Sequence, residues 1–176
     1  MISQLDRTIF YLINRDCRNH LFDIAMPIIT RLGSGEFLGI AALLIIIFAK
    51  KRHKIYGIFL MAGLTLIYYP VSILKNWIAR PRPFTVLPDV HFIGFEKGFS
   101  FPSYHATAAF MAAIICAYFF RKCSSVFFVC ALFIGFSRIY MGFHYPADVI
   151  AGALIGSTAG LVLVYAARSI SDDDKL

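Results

Sequence analysis

Long runs of apolar residues alternate with short polar segments along most of the chain. Five runs approach the roughly 20 residues that a helix needs to cross a bilayer, and they lie at about Gly35–Ala49, Ile55–Ala79, Ser103–Phe120, Val126–Met141 and Pro146–Ala167. Continuous apolar stretches such as Ala42–Ile47 show no alternation with a period of two, which favours helices over barrel strands. We therefore expect an all-α integral membrane protein built as a bundle of five transmembrane helices.

The first part of the chain has a different pattern. Apolar residues between Ile2 and Ile13 recur at roughly helical spacing with charged residues between them, which predicts an amphipathic helix in the membrane interface. The next apolar run, Leu21–Leu32, would form about 18 Å of helix and is too short to cross alone. Residues 1–32 are thus predicted to form an interfacial segment, and a sixth, tilted span through this region is the alternative.

The composition agrees with a membrane protein. Hydrophobic residues make up 59% of the 176 residues and charged residues 15%, whereas a soluble domain has about 45–50% and about 25%. These values exclude a disordered chain, a coiled coil and an ordinary soluble domain. They predict one membrane domain over residues 1–176, with the helical core at 33–168 and a solvated tail at 169–176.

The charge pattern suggests an orientation and a partner. The net charge is +7, but the basic residues lie between apolar runs and form no continuous face, so anionic lipid is a better partner than nucleic acid. With five spans, the basic segments Lys50–Lys54 and Arg121–Lys122 fall on one side of the membrane, which the positive-inside rule predicts to be cytoplasmic. The loop at residues 84–101 then lies on the opposite side.

Polar residues at the ends of four spans fall together on that opposite side. They are Lys75, Arg82, Ser103, His105, Arg138, His144 and Asp148. Ionisable groups near membrane depth are costly and usually functional. Three fixed cations and a hydroxyl suit phosphoryl transfer, because they hold a phosphate and spread the charge of its transition state.

Two histidines and one aspartate supply reactive groups beside these cations. If the last helix begins near Pro146, His144 and Asp148 lie on one face, and Asp148 accepts a hydrogen bond from one imidazole nitrogen. The other nitrogen is then free to act as a nucleophile. His105 is placed to protonate the leaving oxygen. The sequence places no cluster of metal-ligating carboxylates on this side of the membrane, which argues against a two-metal mechanism. We expect no metal and no cofactor.

The chain carries three motifs in order that resemble the signature of the type-2 phosphatidic acid phosphatases, a superfamily that includes bacterial acid phosphatases and vanadium haloperoxidases: Lys75-x6-Arg82-Pro83, Pro102-Ser103-Tyr104-His105 and Ser137-Arg138-x5-His144-x3-Asp148. The resemblance implies that His144 forms a phosphohistidine and that Asp148 orients it. It implies that His105 acts first as the acid and then as the base. It assigns phosphate binding to Lys75, Arg82, Ser103 and Arg138, without a metal.

Tyr104 departs from this signature, which usually has glycine between the serine and the histidine. The main-chain N–H at this position commonly contacts the phosphate, so Tyr104 keeps the phosphate-binding donor and adds a ring. Two interpretations of the ring remain open: it touches the lipid headgroup, or it anchors the helix in the aromatic belt of the interface.

The resemblance implies a metal-independent lipid phosphatase in the inner membrane of a bacterium, with its active site facing the periplasm or exterior. The substrate would be a lipid phosphate monoester or pyrophosphate in the outer leaflet, with a lipid A 1-phosphatase-like activity of broad specificity as the first expectation. Undecaprenyl pyrophosphate and phosphatidylglycerophosphate phosphatases are the alternatives. A haloperoxidase, soluble in this superfamily, and a non-enzymatic lipid-binding or transport protein stay open. No obligate protein partner is evident.

Overall fold

The computed structural model describes residues 3–173, and every regular element in that range is helical, which confirms the all-α prediction. The helices are α1 Gln4–Tyr11, α2 His20–Arg31, α3 Gly35–Phe48, α4 Lys51–Ile78, α5 Pro83–Val86, α6 Tyr104–Phe119, α7 Ser124–Tyr140 and α8 Pro146–Asp173. A π-helical segment, Leu12–Asp16, continues α1, and a 3₁₀ turn, Arg121–Cys123, precedes α7.

Each predicted span corresponds to a helix, but the helices differ in length. Three segments are long and apolar enough to cross a membrane, namely His53–Val86, Arg121–Tyr140 and Pro146–Ile170. Helix α3 passes the same test only together with α2, from which it is bent by 54°, and α6 has 16 residues and falls short. By length and composition the described chain therefore has three spans, or four with the bent pair, and the number five stays a prediction.

The N-terminal segment packs its buried face on the bundle. Phe10 is fully buried and its ring lies 5.8 Å from that of Tyr145, just before α8. Leu5 and Leu12 remain exposed, as expected for an amphipathic helix. Ile2, the first residue of the predicted helix, lies outside the described residues.

The C-terminal end of the chain is helical beyond residue 168, the end of the predicted core. Helix α8 continues to Asp173, through most of the segment expected to be a solvated tail. No glycine or proline follows Ala167 to end the helix, so its backbone hydrogen bonding continues. Residues 174–176 of the predicted tail lie outside the described residues.

Helices α6 and α8 are in close backbone contact along a row of glycines. A Cβ atom added at Gly152 would lie 2.6 Å from the carbonyl oxygen of Ser103, and one at Gly160 would lie 2.8 Å from Cβ of Ile114. A Cβ at Gly156, between them, would overlap the carbonyl of Thr107. Small residues allow such approach between membrane helices. This contact fixes the start of α6 beside the start of α8, where the candidate site lies.

We predict that Gly156→Ala destabilises the protein by about 1–3 kcal/mol, because the added methyl group forces α6 and α8 apart. The control is Gly39→Ala in α3, where an added Cβ meets nothing within 4 Å. That variant should be neutral or up to about 1 kcal/mol more stable, since alanine favours helices over glycine. The free energy of unfolding is measured for both variants in detergent. Equal values for Gly156→Ala and Gly39→Ala would contradict the close contact between α6 and α8.

Candidate active site

The polar residues predicted from the sequence meet at one end of the bundle, where α4, α6, α7 and α8 begin or end. Five of them have relative exposures of 3% or less, namely Arg82, Ser103, Arg138, His144 and Asp148. Buried charges and buried polar groups require partners inside the protein. The partners of each residue therefore describe what the site is built to hold.

The guanidinium of Arg82 is surrounded by main-chain carbonyl groups. Its Nε donates to Gly98 O at 2.9 Å, and its two terminal nitrogens donate to Phe143 O at 3.1 Å and Lys97 O at 3.0 Å. Its Nη1 is also 3.4 Å from Nε2 of His144. The carbonyls hold the guanidinium in one orientation against the imidazole.

Arg138 is buried within α7 and is held by different groups. Its Nη1 donates to the hydroxyl of Thr30 at 3.0 Å, and its Cζ lies 4.3 Å from the ring centroid of Phe143. Its Nε has no hydrogen-bond partner among the described residues, and neither does the buried Nδ1 of His144. An unpaired buried polar group costs about 1–3 kcal/mol. A ligand rich in acceptor oxygens, such as phosphate, would relieve the cost at the guanidinium.

Glu96 joins the two arginines. Its Oε2 is 2.6 Å from Nη2 of Arg138, and its Oε1 is 3.4 Å from Nη2 of Arg82. It comes from the loop between α5 and α6 and its side chain is 27% exposed. The sequence interpretation missed Glu96, although it is the only carboxylate between Asp89 and Asp148.

The histidine–aspartate pair forms at the turn before α8, which begins at Pro146 as predicted. His144 Nδ1 lies 3.5 Å from Oδ2 of Asp148, and the predicted hydrogen bond between them is not formed. The same oxygen accepts the main-chain N–H of Tyr145 at 2.9 Å. Burial, together with the positive charge of neighbouring arginine and lysine side chains, holds the pKa of His144 well below its usual value. The imidazole is therefore neutral at neutral pH, as a nucleophile must be.

The other oxygen of Asp148 is held by Arg80, whose Nη1 donates to it at 2.5 Å. Arg80 also donates to Asp6 in α1, and the second oxygen of Asp6 accepts the N–H of Ala147 at 2.9 Å. The guanidinium of Arg80 lies 4.1 Å from the ring centroid of Tyr145. An ion-pair chain thus runs from the N-terminal helix to the carboxylate beside His144.

Neither Arg80 nor Asp6 was assigned a role from the sequence. Asp6 carried a usable signal, because it lies four residues before Phe10 and hence on the buried face of α1. A charged residue on the apolar face of an amphipathic helix indicates a buried partner.

Lys75 and Ser103 lie on either side of the segment that precedes α6. Lys75 Nζ donates to Phe99 O at 3.0 Å and to Ser100 O at 3.4 Å. Ser103 caps α6, its hydroxyl accepting the N–H of Ala106 at 3.5 Å, and its own N–H donates to Asp148 O at 3.0 Å. Both predicted phosphate ligands are thus at the site, engaged with protein groups.

His105 lies in the first turn of α6 and is partly exposed. It is close enough to other charged or titratable groups of the site to interact with them electrostatically, namely Arg138, His144, Lys75 and Arg82. It also lines a cavity of about 580 Å³ between α3, α4 and α6, whose other walls include Gly39, Met61 and Leu64. Its wall also includes three tyrosines and the polar side chains of Ser34, Glu36 and Thr65, and most of its exposed surface is apolar. The cavity therefore connects the site at His105 with a mainly apolar surface.

Tyr104 directs its ring into the wall of this cavity. Its hydroxyl donates to Leu64 O at 3.4 Å, and its ring packs edge-on against Tyr68 with centroids 5.8 Å apart. Within residues 3–173, neither its hydrogen bond nor its ring contact involves an arginine of the site. Only the main chain of Tyr104, at the start of α6, remains as its predicted phosphate-binding group.

A sequence profile described as the PAP2 superfamily matches residues 56–171. This range contains all three motifs and runs from α4 to α8. The crystal structure of Aquifex aeolicus LpxE is similar with a TM-score of 0.79 and 33% sequence identity, covering 93% of this chain and 96% of that chain.

Two curated relatives illustrate the similarity in sequence. The bacitracin transport permease protein BcrC of Bacillus licheniformis is 36% identical over 57% of this chain and 50% of that protein. The lipid A 1-phosphatase of Rhizobium etli is 38% identical over 54% of this chain and 44% of that protein. The chain spans about half the length of the curated relatives it matches.

We predict that Asp6→Asn lowers kcat by about tenfold, or about 1.4 kcal/mol, with little change in KM. Asparagine keeps an acceptor for the N–H of Ala147 but releases Arg80, so Asp148 is held less firmly beside His144. The measurement is steady-state phosphate release from a lipid phosphate. The control is Asp16→Asn, which removes a carboxylate from the same segment at an exposed pair with Arg15. Equal activity of the two variants would show that the ion pairs linking Asp6 to Asp148 through Arg80 have no part in turnover.

Proposed function

Since the chain belongs to the PAP2 superfamily, we propose that it is a membrane lipid phosphatase that works through a phosphohistidine on His144. One observation carries the proposal: two buried arginines, Arg82 and Arg138, share the carboxylate of Glu96, and Arg82 Nη1 lies 3.4 Å from Nε2 of His144. A nucleophile facing a site for an anion is the arrangement that phosphoryl transfer needs.

The first chemical step joins His144 to phosphorus. Nε2 of His144 attacks the phosphorus atom while the bond from phosphorus to the lipid oxygen breaks, and His105 gives its proton to that oxygen. Asp148, held by Arg80, keeps the imidazole oriented and stabilises the positive charge that develops on it. The products of this step are the lipid alcohol, or lipid monophosphate from a pyrophosphate, and phosphohistidine.

The second step returns the enzyme to its starting state. His105 now takes a proton from water, which attacks the phosphorus atom and breaks its bond to His144. Inorganic phosphate leaves, and His105 carries the proton for the next turnover. The same histidine thus serves as acid and as base, and no metal is used.

The phosphoryl oxygens are held by donors from α4, α6 and α7 and by Arg82, which directly precedes α5. Arg82 and Arg138 supply planar donor pairs that match phosphate oxygens. Lys75 adds a point charge, and Ser103 with the main-chain N–H of Tyr104 lies at the start of α6, where free N–H groups favour an anion. These donors stabilise charge that spreads over the oxygens in the transition state.

The adjoining cavity favours a lipid over a soluble phosphate ester. It is mostly apolar and reaches His105, the group assigned to protonate the leaving oxygen. The apolar part of a lipid lying there would bring its phosphate toward the arginines. This arrangement also speaks against a haloperoxidase, whose soluble members need no lipid compartment.

A lipid A 1-phosphatase-like activity of broad specificity is the first substrate assignment. It is supported by similarity to the Rhizobium etli lipid A 1-phosphatase. Undecaprenyl pyrophosphate and phosphatidylglycerophosphate are the alternative substrates, and all three present a terminal phosphate on a lipid. Similarity to a protein named a transport permease keeps a non-enzymatic role as the competing class.

We predict that His144→Ala lowers phosphate release by at least about 1,000-fold, or about 4 kcal/mol, on every lipid that the wild type cleaves. The assay uses the three lipids in detergent with EDTA present. The control is His20→Ala, an exposed histidine in the first turn of α2. A folded wild-type protein that releases no phosphate would favour the non-enzymatic class, and activity of His144→Ala near wild type would refute the nucleophile.

We also propose that the active site faces the periplasm or cell exterior, because Lys50–Lys54 and Arg121–Lys122 mark the cytoplasmic side. In a variant without the four native cysteines, a membrane-impermeant thiol reagent applied to intact cells should label Asp89→Cys. It should leave His53→Cys, at the other end of α4, unlabelled until the cells are opened. The reverse pattern would place the site in the cytoplasm.

A further inference from the structure

Glu96 lies between the two arginines that the proposed function assigns to phosphate binding. It contributes one carboxylate oxygen to each of Arg82 and Arg138, at 3.4 Å and 2.6 Å. In the part of the chain that the structure describes, neither arginine forms an ion pair with another carboxylate. The two arginines therefore share an anionic partner that the protein itself supplies.

The carboxylate is also the exchangeable member of this cluster. The two arginine side chains are 2% exposed, whereas that of Glu96 is 27% exposed. Glu96 lies midway between Gly94 and Gly98, whose φ angles of 115° and 73° belong to the left-handed region that favours glycine. A Cβ added at Gly98 would meet nothing within 4 Å. The Glu96 side chain can thus leave the arginines without unpacking the core.

We propose that Glu96 is an internal competitor of the substrate's phosphate group. This inference rests on the proposed function and names what sets the affinity of that site. Glu96 neutralises the arginines in the resting state, the incoming phosphate displaces it, and its return helps to release the product phosphate. Competition of this kind weakens the binding of every anion by one common factor.

That common factor matters in a bilayer, where the arginines face a large excess of phosphodiester headgroups. A diester carries one negative charge and two free oxygens, as a carboxylate does, so it displaces Glu96 weakly. A phosphate monoester carries about 1.5 to 2 negative charges and three free oxygens, and so displaces Glu96 more strongly. The competitor leaves the ratio of the two affinities unchanged and lowers the fraction of sites that diesters fill, so the more strongly bound monoesters and pyrophosphates still enter at higher concentration.

The experiment compares the wild type with Glu96→Gln, which keeps the shape and removes the charge. Phosphatidic acid is the substrate in mixed micelles, and phosphatidylglycerol or inorganic phosphate is the inhibitor. We expect both inhibition constants and KM to fall by a similar factor of about tenfold or more, equivalent to about 1.4 kcal/mol, without a rise in kcat. The control is Asp89→Asn, which removes an exposed carboxylate from the same loop and should change none of these constants.

Other roles for Glu96 give different results. A group that takes part in the chemistry would lower kcat in Glu96→Gln and leave the inhibition constants unchanged. If the ion pair is merely structural, Glu96→Gln would lower the stability of the protein and leave the inhibition constants unchanged as well. Either pattern overturns the proposal, as would failure of both Glu96→Gln and Glu96→Ala to fold, because a displaceable competitor is not required for folding.

A binding measurement separates this inference from the proposed function. Inorganic phosphate should raise the melting temperature of both proteins through linkage, and Glu96→Gln should reach half of the full effect at about one tenth of the wild-type concentration. This result does not depend on turnover. If the wild type cleaves no lipid but the two proteins still differ in this way, the proposed function fails and the inference about Glu96 holds. If both proteins reach half of the full effect at the same phosphate concentration, the inference about Glu96 is wrong.

Discussion

The site depends on burying two positive charges side by side. Arg82 and Arg138 are withdrawn from water, and each loses hydration that in water would stabilise its charge. The protein returns part of that stabilisation through carbonyl oxygens around Arg82 and through the hydroxyl of Thr30 and the ring of Phe143 at Arg138. Neutral acceptors leave the net charge unbalanced, so the pair requires an anion. This requirement explains both why Glu96 lies where it does and why a phosphate would bind there.

The bundle is built so that its most tightly packed pair of helices controls this arrangement. The glycines of α8 let its backbone touch α6 close to Ser103 and Thr107. Within one turn of that contact lie His105 on one helix and Asp148 on the other. The distance between the proposed acid and Asp148, which orients the proposed nucleophile, therefore depends on a backbone contact that no flexible side chain can adjust. The N-terminal helix adds a second constraint from outside the bundle through Asp6 and Arg80.

The sequence predicted the helices and the convergence of the motifs for a physical reason. Apolar runs in lipid must be helical, and residues at successive ends of antiparallel spans alternate between two sides of the membrane. That argument placed Arg82, His144 and Asp148 together without any knowledge of their contacts. The one hydrogen bond that it predicted, from His144 to Asp148, is not formed, and it did not predict Glu96 or Arg80 as partners.

Contacts between distant parts of the chain account for what the sequence did not yield. Asp6 reaches Ala147, 141 residues away, and Glu96 lies in a loop whose path no periodicity describes. The number of spans was also uncertain from the sequence, since a short helix such as α6 is apolar enough for a span but has only 16 residues. Helix α8 extends into the predicted tail because Ser169–Asp173 contains nothing that breaks a helix.

A structure of the protein with bound orthovanadate tests the central claim most directly. Vanadate adopts the five-coordinate geometry of phosphorus during transfer, so it reports the site of the reaction as well as the site of binding. The account predicts vanadium bonded to Nε2 of His144, with its oxygens on Arg82 and Arg138 and the carboxylate of Glu96 displaced from both. Vanadate bound elsewhere, with Glu96 still bridging the two arginines, would contradict it.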